Sequence, residues 1–161
     1  AGTKFTVDIS FDTASEADVY RNQISEQPDA LKRMEGKRIL LAEDNDLNAE
    51  IAIELLAEQK IIADRAMDGA DCLDKLEKAD SGYYDMILMD IQMPVMDGYT
   101  AAGEIRGSGH PEAKTVPIIA LTANAFAEDI SKVLASGMND HVTKPIDFDR
   151  LLAALRKCVC R

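Results

Sequence analysis

The stretch "ILMDIQMPVMDG", Ile87 to Gly98, carries an aspartate directly after three large apolar residues. Ile87, Leu88 and Met89 are typical of a strand that is buried on both faces of a sheet. Asp90 therefore lies where a buried strand ends and its side chain leaves the core. The partners of this carboxylate should come from residues that other strands bring to the same edge of the sheet.

The chain from Arg38 onward alternates short apolar runs with longer segments whose apolar residues recur every three or four positions. This alternation is typical of repeated strand–helix units, which form a parallel sheet with helices on both faces. Apolar runs of strand length lie at 39–42, 61–66, 86–89, 116–121 and 141–143. The first, third and fourth of them read as fully buried.

A segment with helical periodicity follows each predicted strand, and we expect its apolar face to pack on the sheet. Asp147 is placed to cap the last helix, and Gly137 is placed to end the fourth. The apolar faces are Leu47, Ile51 and Leu55; Ala70, Leu73 and Leu76; Tyr99, Ala102 and Ile105; Ile130, Val133 and Leu134; and Phe148, Leu151, Leu152, Leu155 and Val159.

The size and charge of the chain restrict its function. With 161 residues, 47% of them hydrophobic, it is long enough for one well-packed domain. Its net charge of −11 arises from 29 acidic and 18 basic residues without a basic cluster, so we expect no direct contact with nucleic acid or an anionic membrane. The sequence contains no apolar run of membrane-spanning length, and we expect neither a membrane span nor a signal peptide. Its three cysteines match neither a zinc site nor a redox motif, which favours a reducing compartment.

The N-terminal part differs from the rest of the chain. Residues 1–11 contain alternating apolar residues, as a half-buried strand does. Residues 12–36 are polar and read as a linker, with weak helical periodicity at 19–24. We therefore predict one domain at 37–161, preceded by a linker and by a strand that is either the remnant of another domain or an added edge strand of this one.

Charged and polar side chains follow four of the predicted strands. In an open parallel sheet these strand ends converge on one crevice. Three carboxylates in such a space repel one another unless a cation lies among them, and oxygen ligands suit Mg²⁺. A carboxylate beside Mg²⁺ can attack phosphorus while an ammonium neutralises charge on the phosphoryl oxygens and a hydroxyl donates to one of them. The residues concerned are Glu43, Asp44, Asp90, Thr122 and Lys144.

Residues 38–160 resemble a receiver domain of two-component signalling, the response-regulator family. Four motifs carry the resemblance in the expected order: "ILLAEDN" (39–45), "ILMDIQMPVMDG" (87–98), "IIALTANA" (118–125) and "MNDHVTKPID" (138–147). The resemblance implies a flavodoxin-like, doubly wound α/β fold. Its five parallel strands would have the order 2-1-3-4-5, with five helices in a three-layer arrangement.

The resemblance also implies a role for each site residue. Asp90 would be the phosphoacceptor. The Mg²⁺ ligands would be Asp44, Glu43, Asp90 and the backbone carbonyl of Gln92. Thr122 would be the switch hydroxyl, and Lys144, joined to Pro145 by a cis bond, would pair with the phosphate.

Further positions are assigned by the same resemblance. Gln92 and Asn124 occupy places that tune how fast the phosphoryl group is lost, and Ala123 is small enough to leave the site accessible. His141 stands where many receivers have an aromatic rotameric switch, so it is either a switch or a surface histidine. Asp97 and Gly98 read as loop structure and the start of the third helix.

Residues 1–11, "AGTKFTVDISF", resemble the closing strand of the ATP-binding domain of a sensor histidine kinase. A hybrid histidine kinase, anchored in the membrane with this part in the cytoplasm, would be the parent protein. The expected partners are its kinase core and a histidine phosphotransfer protein. The receiver itself would catalyse its own phosphorylation and slow autodephosphorylation.

Two other functions use the same features differently. A Mg²⁺-dependent phosphohydrolase shares the aspartyl nucleophile, but that class usually has a second acid where this chain has Gln92. A phosphorylation-independent interaction module would be expected to lack an acceptor-site residue, and none is missing here.

Overall fold

The computed structural model describes residues 33–123 and 126–159. Within these ranges five strands form one sheet in the order β2-β1-β3-β4-β5, and every neighbouring pair is parallel. The strands are β1 (Arg38–Ala42), β2 (Ile62–Ala66), β3 (Met86–Asp90), β4 (Ile118–Thr122) and β5 (Asp140–Thr143). The helices are α1 (Asp46–Glu58), α2 (Gly69–Lys78), α3 (Gly98–Gly107), α4 (Ala127–Ala135) and α5 (Phe148–Val159). The predicted fold class and strand order are confirmed.

The sheet carries a hydrophobic core on each face, because successive side chains of a strand point to opposite sides. Leu40 of β1 and Ile87 of β3 pack with residues of α2, α3 and α4 on one face. Ile39 and Leu88, their neighbours in sequence, pack with α1 and α5 on the other. All five residues of β3 and of β4 are buried, as predicted for central strands.

The predicted core face of the first helix is wrong. Leu47 is 64% exposed and Ile51 is 44% exposed, whereas Ala49, Ala52 and Leu56 are buried against the sheet. Small alanines let the helix backbone lie close to the sheet, and the larger apolar residues are left on the outer surface. Both sets of residues have helical spacing, so apolar periodicity alone could not decide which of the two faces is buried.

Local chemistry sets the ends of the helices. Asn45, Asp68 and Asp97 each accept a hydrogen bond from the backbone N–H three residues later, at the start of α1, α2 and α3. Asp147 does the same for α5 through the N–H of Arg150. Gly137 follows α4 with a φ of +90°, a conformation that glycine adopts readily. The predicted helix ends at Asp147 and Gly137 are therefore confirmed.

The N-terminal predictions lie almost entirely outside the described residues. The strand at 1–11 and the linker as far as residue 32 cannot be compared with the structure. Met34 is fully buried in the core that α1 and α5 cover. The domain boundaries therefore stay predictions, and Met34, which lies in the predicted linker, packs in this core. In the part of the chain that the structure describes, no helix has the length and apolar character to cross a bilayer.

The thiol of Cys72 is part of the core beneath α2. Burial raises its pKa to about 12, so the thiol stays protonated near neutral pH. This environment agrees with a structural cysteine.

Candidate functional site

Four strands place the predicted site residues at one edge of the sheet. Glu43 follows β1, Asp90 ends β3, Thr122 ends β4 and Lys144 follows β5. The carboxylates of Glu43, Asp44 and Asp90 each offer an oxygen within 4.8 Å of the other two. The backbone N–H of Lys144 donates to the carbonyl of Thr122 at 2.7 Å, which brings the ends of β4 and β5 together.

The ammonium of Lys144 is the counter-charge of this cluster. Its Nζ donates to Glu43 Oε2 and to Asp90 Oδ2, both at 2.6 Å. Glu43 is 1% exposed and Asp90 is 5% exposed, so both carboxylates lie in a setting where an unpaired charge is costly. With one ammonium and three carboxylates the cluster has two excess negative charges. A divalent cation would balance them.

Burial and pairing act in opposite directions on these groups. Burial raises the pKa of Asp90, and hydrogen bonds from Lys144 and from the N–H of Gln92 reduce this effect without cancelling it. Burial alone would lower the pKa of Lys144, but its contacts with Asp90 and Glu43 together outweigh it and the pKa is raised. The lysine is therefore held in its charged form, ready to pair with a further anion.

The loop from β3 to α3 folds back onto Asp90. The N–H of Gly98 donates to the carbonyl of Ile91 at 3.0 Å. A Cβ on Gly98 would lie 2.2 Å from the carbonyl oxygen of Asp90, so the close approach requires glycine here. Asp97 caps α3 through Thr100, at 2.8 Å to its N–H, and contributes to the loop as predicted.

The backbone N–H of Gln92 donates to Asp90 Oδ1 at 3.1 Å and orients the carboxylate. The assignment of the Gln92 carbonyl as a metal ligand stays a prediction. Ala123 is exposed beside the end of β4, which agrees with an open site. Asn124, the other residue expected to tune phosphoryl loss, lies outside the described residues.

Two further predictions concern β5 and the loop after it. The peptide bond between Lys144 and Pro145 is cis, as the resemblance implied. His141 lies on β5 next to Asp140, with its Nδ1 3.8 Å from an Asp140 carboxylate oxygen. Its role as a rotameric switch stays a prediction.

Two residues at the site were missed by the sequence analysis. The side-chain amide of Asn48 donates to Glu43 Oε1 at 3.1 Å, and Arg65 donates to the carbonyls of Glu43 and Asp44 at 3.0 and 3.1 Å. Asn48 lies in the first turn of α1, five residues beyond Glu43, and its closeness in sequence to the acidic pair could have indicated it. Arg65 lies on β2, and only its polar character in a strand could have drawn attention to it.

The donor set fits a divalent cation. Carboxylate oxygens are hard ligands, and three of them near one another at the mouth of a crevice suit an ion that keeps some of its water. The fold is a doubly wound α/β sheet, and the acidic ligands and the ammonium at its carboxyl edge suit a cation and an anionic group. The family model described as the response regulator receiver domain matches residues 39–156, and the chain belongs to that family.

Known relatives agree with this assignment. The chain is 46% identical over 127 residues to Histidine protein kinase 1 of Candida albicans, and the match covers 74% of this chain and 5% of that protein. For eight of the curated relatives that it matches, the chain spans between 3% and 17% of their length. It is thus similar to one receiver-sized part of much longer proteins, several of them hybrid histidine kinases.

Two solved structures are also similar. One is the receiver domain of a Pseudomonas aeruginosa sensor histidine kinase with a magnesium ion coordinated in its active site cleft; it is 37% identical, with a TM-score of 0.70, and the match covers 78% of this chain and 99% of that one. The other is the co-crystal structure of the Saccharomyces cerevisiae histidine phosphotransfer protein Ypd1 and the receiver domain of Ssk1. That match has 30% identity and a TM-score of 0.69, and it covers 79% of this chain and 91% of that one.

Proposed function

We propose that this receiver domain accepts a phosphoryl group from a phosphohistidine onto Asp90 in a Mg²⁺-dependent reaction. The observation that carries the proposal is the position of Lys144, whose Nζ lies 2.6 Å from both Asp90 and Glu43. This arrangement places a nucleophilic carboxylate and a carboxylate that can bind a cation both within hydrogen-bond distance of the Lys144 ammonium.

Each residue has a distinct task in the proposed reaction. Glu43, Asp44 and Asp90, with the carbonyl of Gln92, would hold Mg²⁺. The ion, when bound, neutralises negative charge on the phosphoryl oxygens. The Asp90 carboxylate forms the new O–P bond as the P–N bond to imidazole breaks, and the electron pair of that bond stays on the imidazole nitrogen, which is protonated.

Lys144 and Thr122 would act on the product. A phosphoryl group on Asp90 presents oxygens that compete with carboxylates for the Lys144 ammonium. Thr122, at the end of the neighbouring strand, would donate its hydroxyl to the same group and change position as it does so. Water later attacks phosphorus, releases inorganic phosphate and restores the carboxylate.

The surface around the site supports a protein partner. Leu47 and Ile51 are exposed on α1, beside the loop that carries Glu43 and Asp44, and Val95 is largely exposed in the loop after Asp90. Exposed apolar residues at the rim of a reactive site suit a helical partner. The yeast receiver that is similar to this chain was solved with a histidine phosphotransfer protein. We infer that such a protein, together with the kinase core of a hybrid parent in the cytoplasm, exchanges the phosphoryl group with Asp90.

The test is chemical loading of Asp90. The protein is incubated with Mg²⁺ and a small acyl phosphate, or with beryllofluoride, and followed by intact mass or NMR. Wild type is expected to gain one phosphoryl group and Asp90→Asn none. Asp97→Asn is the matched control and is expected to load like wild type. Asparagine also caps helices, and the side chain of Asp97 bonds to Thr100 of α3.

Two results would contradict the proposal. Equal modification of wild type and Asp90→Asn would place the phosphoryl group elsewhere. Repeated turnover of phosphomonoesters by wild type would instead favour a phosphohydrolase, since a receiver is expected to lose only its own acyl phosphate.

A further inference from the structure

The guanidinium of Arg65 binds the acidic loop between β1 and α1 along its length. Its Nε donates to the carbonyl of Glu43 at 3.0 Å, and its Nη2 donates to the carbonyl of Asp44 at 3.1 Å. Its Nη1 lies 2.7 Å from a carboxylate oxygen of Asp46, at the start of α1. One side chain therefore holds three of the four residues from 43 to 46.

Arg65 is itself held in place. It lies on β2 in register with Leu41 of β1, so its backbone is fixed with respect to the strand that leads into the acidic loop. Lys75 of α2 donates to the carbonyl of Arg65 at 2.5 Å, which ties this part of β2 to the helix that follows it. The backbone that carries the guanidinium is therefore bound to both β1 and α2.

The acidic loop needs such a support because its carboxylates repel one another. Glu43 and Asp44 are adjacent in sequence, and both approach Asp90. Repulsion at these distances favours any backbone movement that separates the side chains. A planar guanidinium can bind two carbonyls at once, whereas an ammonium is a single point charge on a flexible stem.

We propose that Arg65 is a positioning residue, which holds the Glu43–Asp44 backbone so that both carboxylates face the cation before it binds. The inference rests on the proposed function, because it assumes a divalent cation at this site. Without the support, only a fraction of the molecules would have the binding geometry, and the apparent affinity for Mg²⁺ would fall by that fraction.

The charge of Arg65 has the opposite effect, since a cation near the site repels Mg²⁺. Two substitutions separate the effects. Arg65→Lys keeps the charge and loses the two-carbonyl contact, whereas Arg65→Gln loses the charge as well. A positioning role predicts weaker Mg²⁺ binding in both variants, by roughly three- to tenfold for the loss of one or two hydrogen bonds. A purely electrostatic role predicts no change in Arg65→Lys and tighter binding in Arg65→Gln.

The experiment titrates the 161-residue chain with Mg²⁺ and follows backbone amide shifts by NMR. Hydrogen exchange of residues 43–48 in EDTA reports the loop itself and needs no metal. The positioning role predicts faster exchange there in Arg65→Lys, with a thermal midpoint close to that of wild type. Arg38→Lys is the matched control, because Arg38 is also a paired strand arginine, with contacts to Asp64 and Tyr83, but it begins β1, at the opposite end of that strand from the acidic loop.

Each outcome decides one proposal. Wild-type affinity and wild-type exchange in Arg65→Lys and Arg65→Gln would overturn the positioning role and leave the proposed function intact. Absence of any Mg²⁺ response in wild type would overturn the proposed function and this inference with it. If Arg65→Lys fails to fold, the metal-free hydrogen exchange of residues 43–48 in Arg65→Gln decides, because it does not depend on repulsion of Mg²⁺: faster exchange supports the positioning role, and wild-type exchange overturns it.

Discussion

Replacement of Lys144 by methionine should destabilise the metal-free protein and make its stability depend on Mg²⁺. The substitution keeps the aliphatic stem and removes the charge that lies 2.6 Å from Glu43 and from Asp90. Removal of one partner of a buried ion pair costs about 3 to 5 kcal/mol. Because the Lys144 side chain is 21% exposed, water can partly solvate the carboxylates that lose the ammonium. We therefore expect the free energy of unfolding to fall by about 2 kcal/mol.

Mg²⁺ should recover most of this loss. The ion occupies the same group of carboxylates and supplies the missing positive charge, and the variant has no ammonium that competes with it. Ligand binding stabilises the folded state in proportion to the logarithm of ligand concentration over the dissociation constant. The rise in the free energy of unfolding with Mg²⁺ is therefore expected to be larger in Lys144→Met than in wild type.

Thermal unfolding with and without Mg²⁺ measures both effects. A loss of about 2 kcal/mol corresponds to a midpoint lower by roughly 6 to 10 °C for a domain of this size. Lys78→Met is the matched control, because Lys78 pairs with Asp74 on the exposed surface of α2, where ion pairs contribute little. Equal midpoints for Lys144→Met and wild type in EDTA, or an equal Mg²⁺ effect on both, would show that Lys144 is not the counter-charge of the site.

Three further predictions test the loop and the acceptor. Gly98→Ala should lower the free energy of unfolding by about 1 to 3 kcal/mol and slow phosphoryl loading, because the new Cβ would lie 2.2 Å from the Asp90 carbonyl oxygen. Urea unfolding measures the loss. Gly103→Ala is the control and should not lose stability, because Gly103 has open space around it. Asp97→Ala should cost about 1 kcal/mol of stability through the lost cap while loading by intact mass stays at the wild-type level. Since burial raises the pKa of Asp90 above 3.8, the folded metal-free protein binds a proton on Asp90 more readily than the unfolded chain does, so the residue contributes stability at low pH that is lost as the pH rises through the raised pKa. Urea unfolding in EDTA should show wild type losing stability relative to Asp90→Asn over that range, and a constant difference would contradict the shift.

The sequence alone was sufficient to predict the fold class and most of the residues that the structure brings together at the candidate site. Apolar runs of strand length and helical periodicity are local properties, and they alternate regularly from residue 38 onward. In a parallel sheet all strands end at the same edge, so the residues that follow the strands must converge. Asp90, Glu43 and Lys144 could therefore be assigned to one site, although they are far apart in sequence, and the structure places them within hydrogen-bond distance.

The tertiary structure alone decided which groups support that site and which faces stay exposed. Arg65 follows Glu43 by 22 residues, and its contact with the loop depends on the pairing of β1 with β2 and on one rotamer of a long side chain. Similarly, Leu47 looked like a core residue by its spacing, yet α1 packs through Ala49 and its neighbours because small residues allow the closest approach to the sheet. Periodicity records that an apolar face exists, but which face is buried depends on the shape of the surface opposite it.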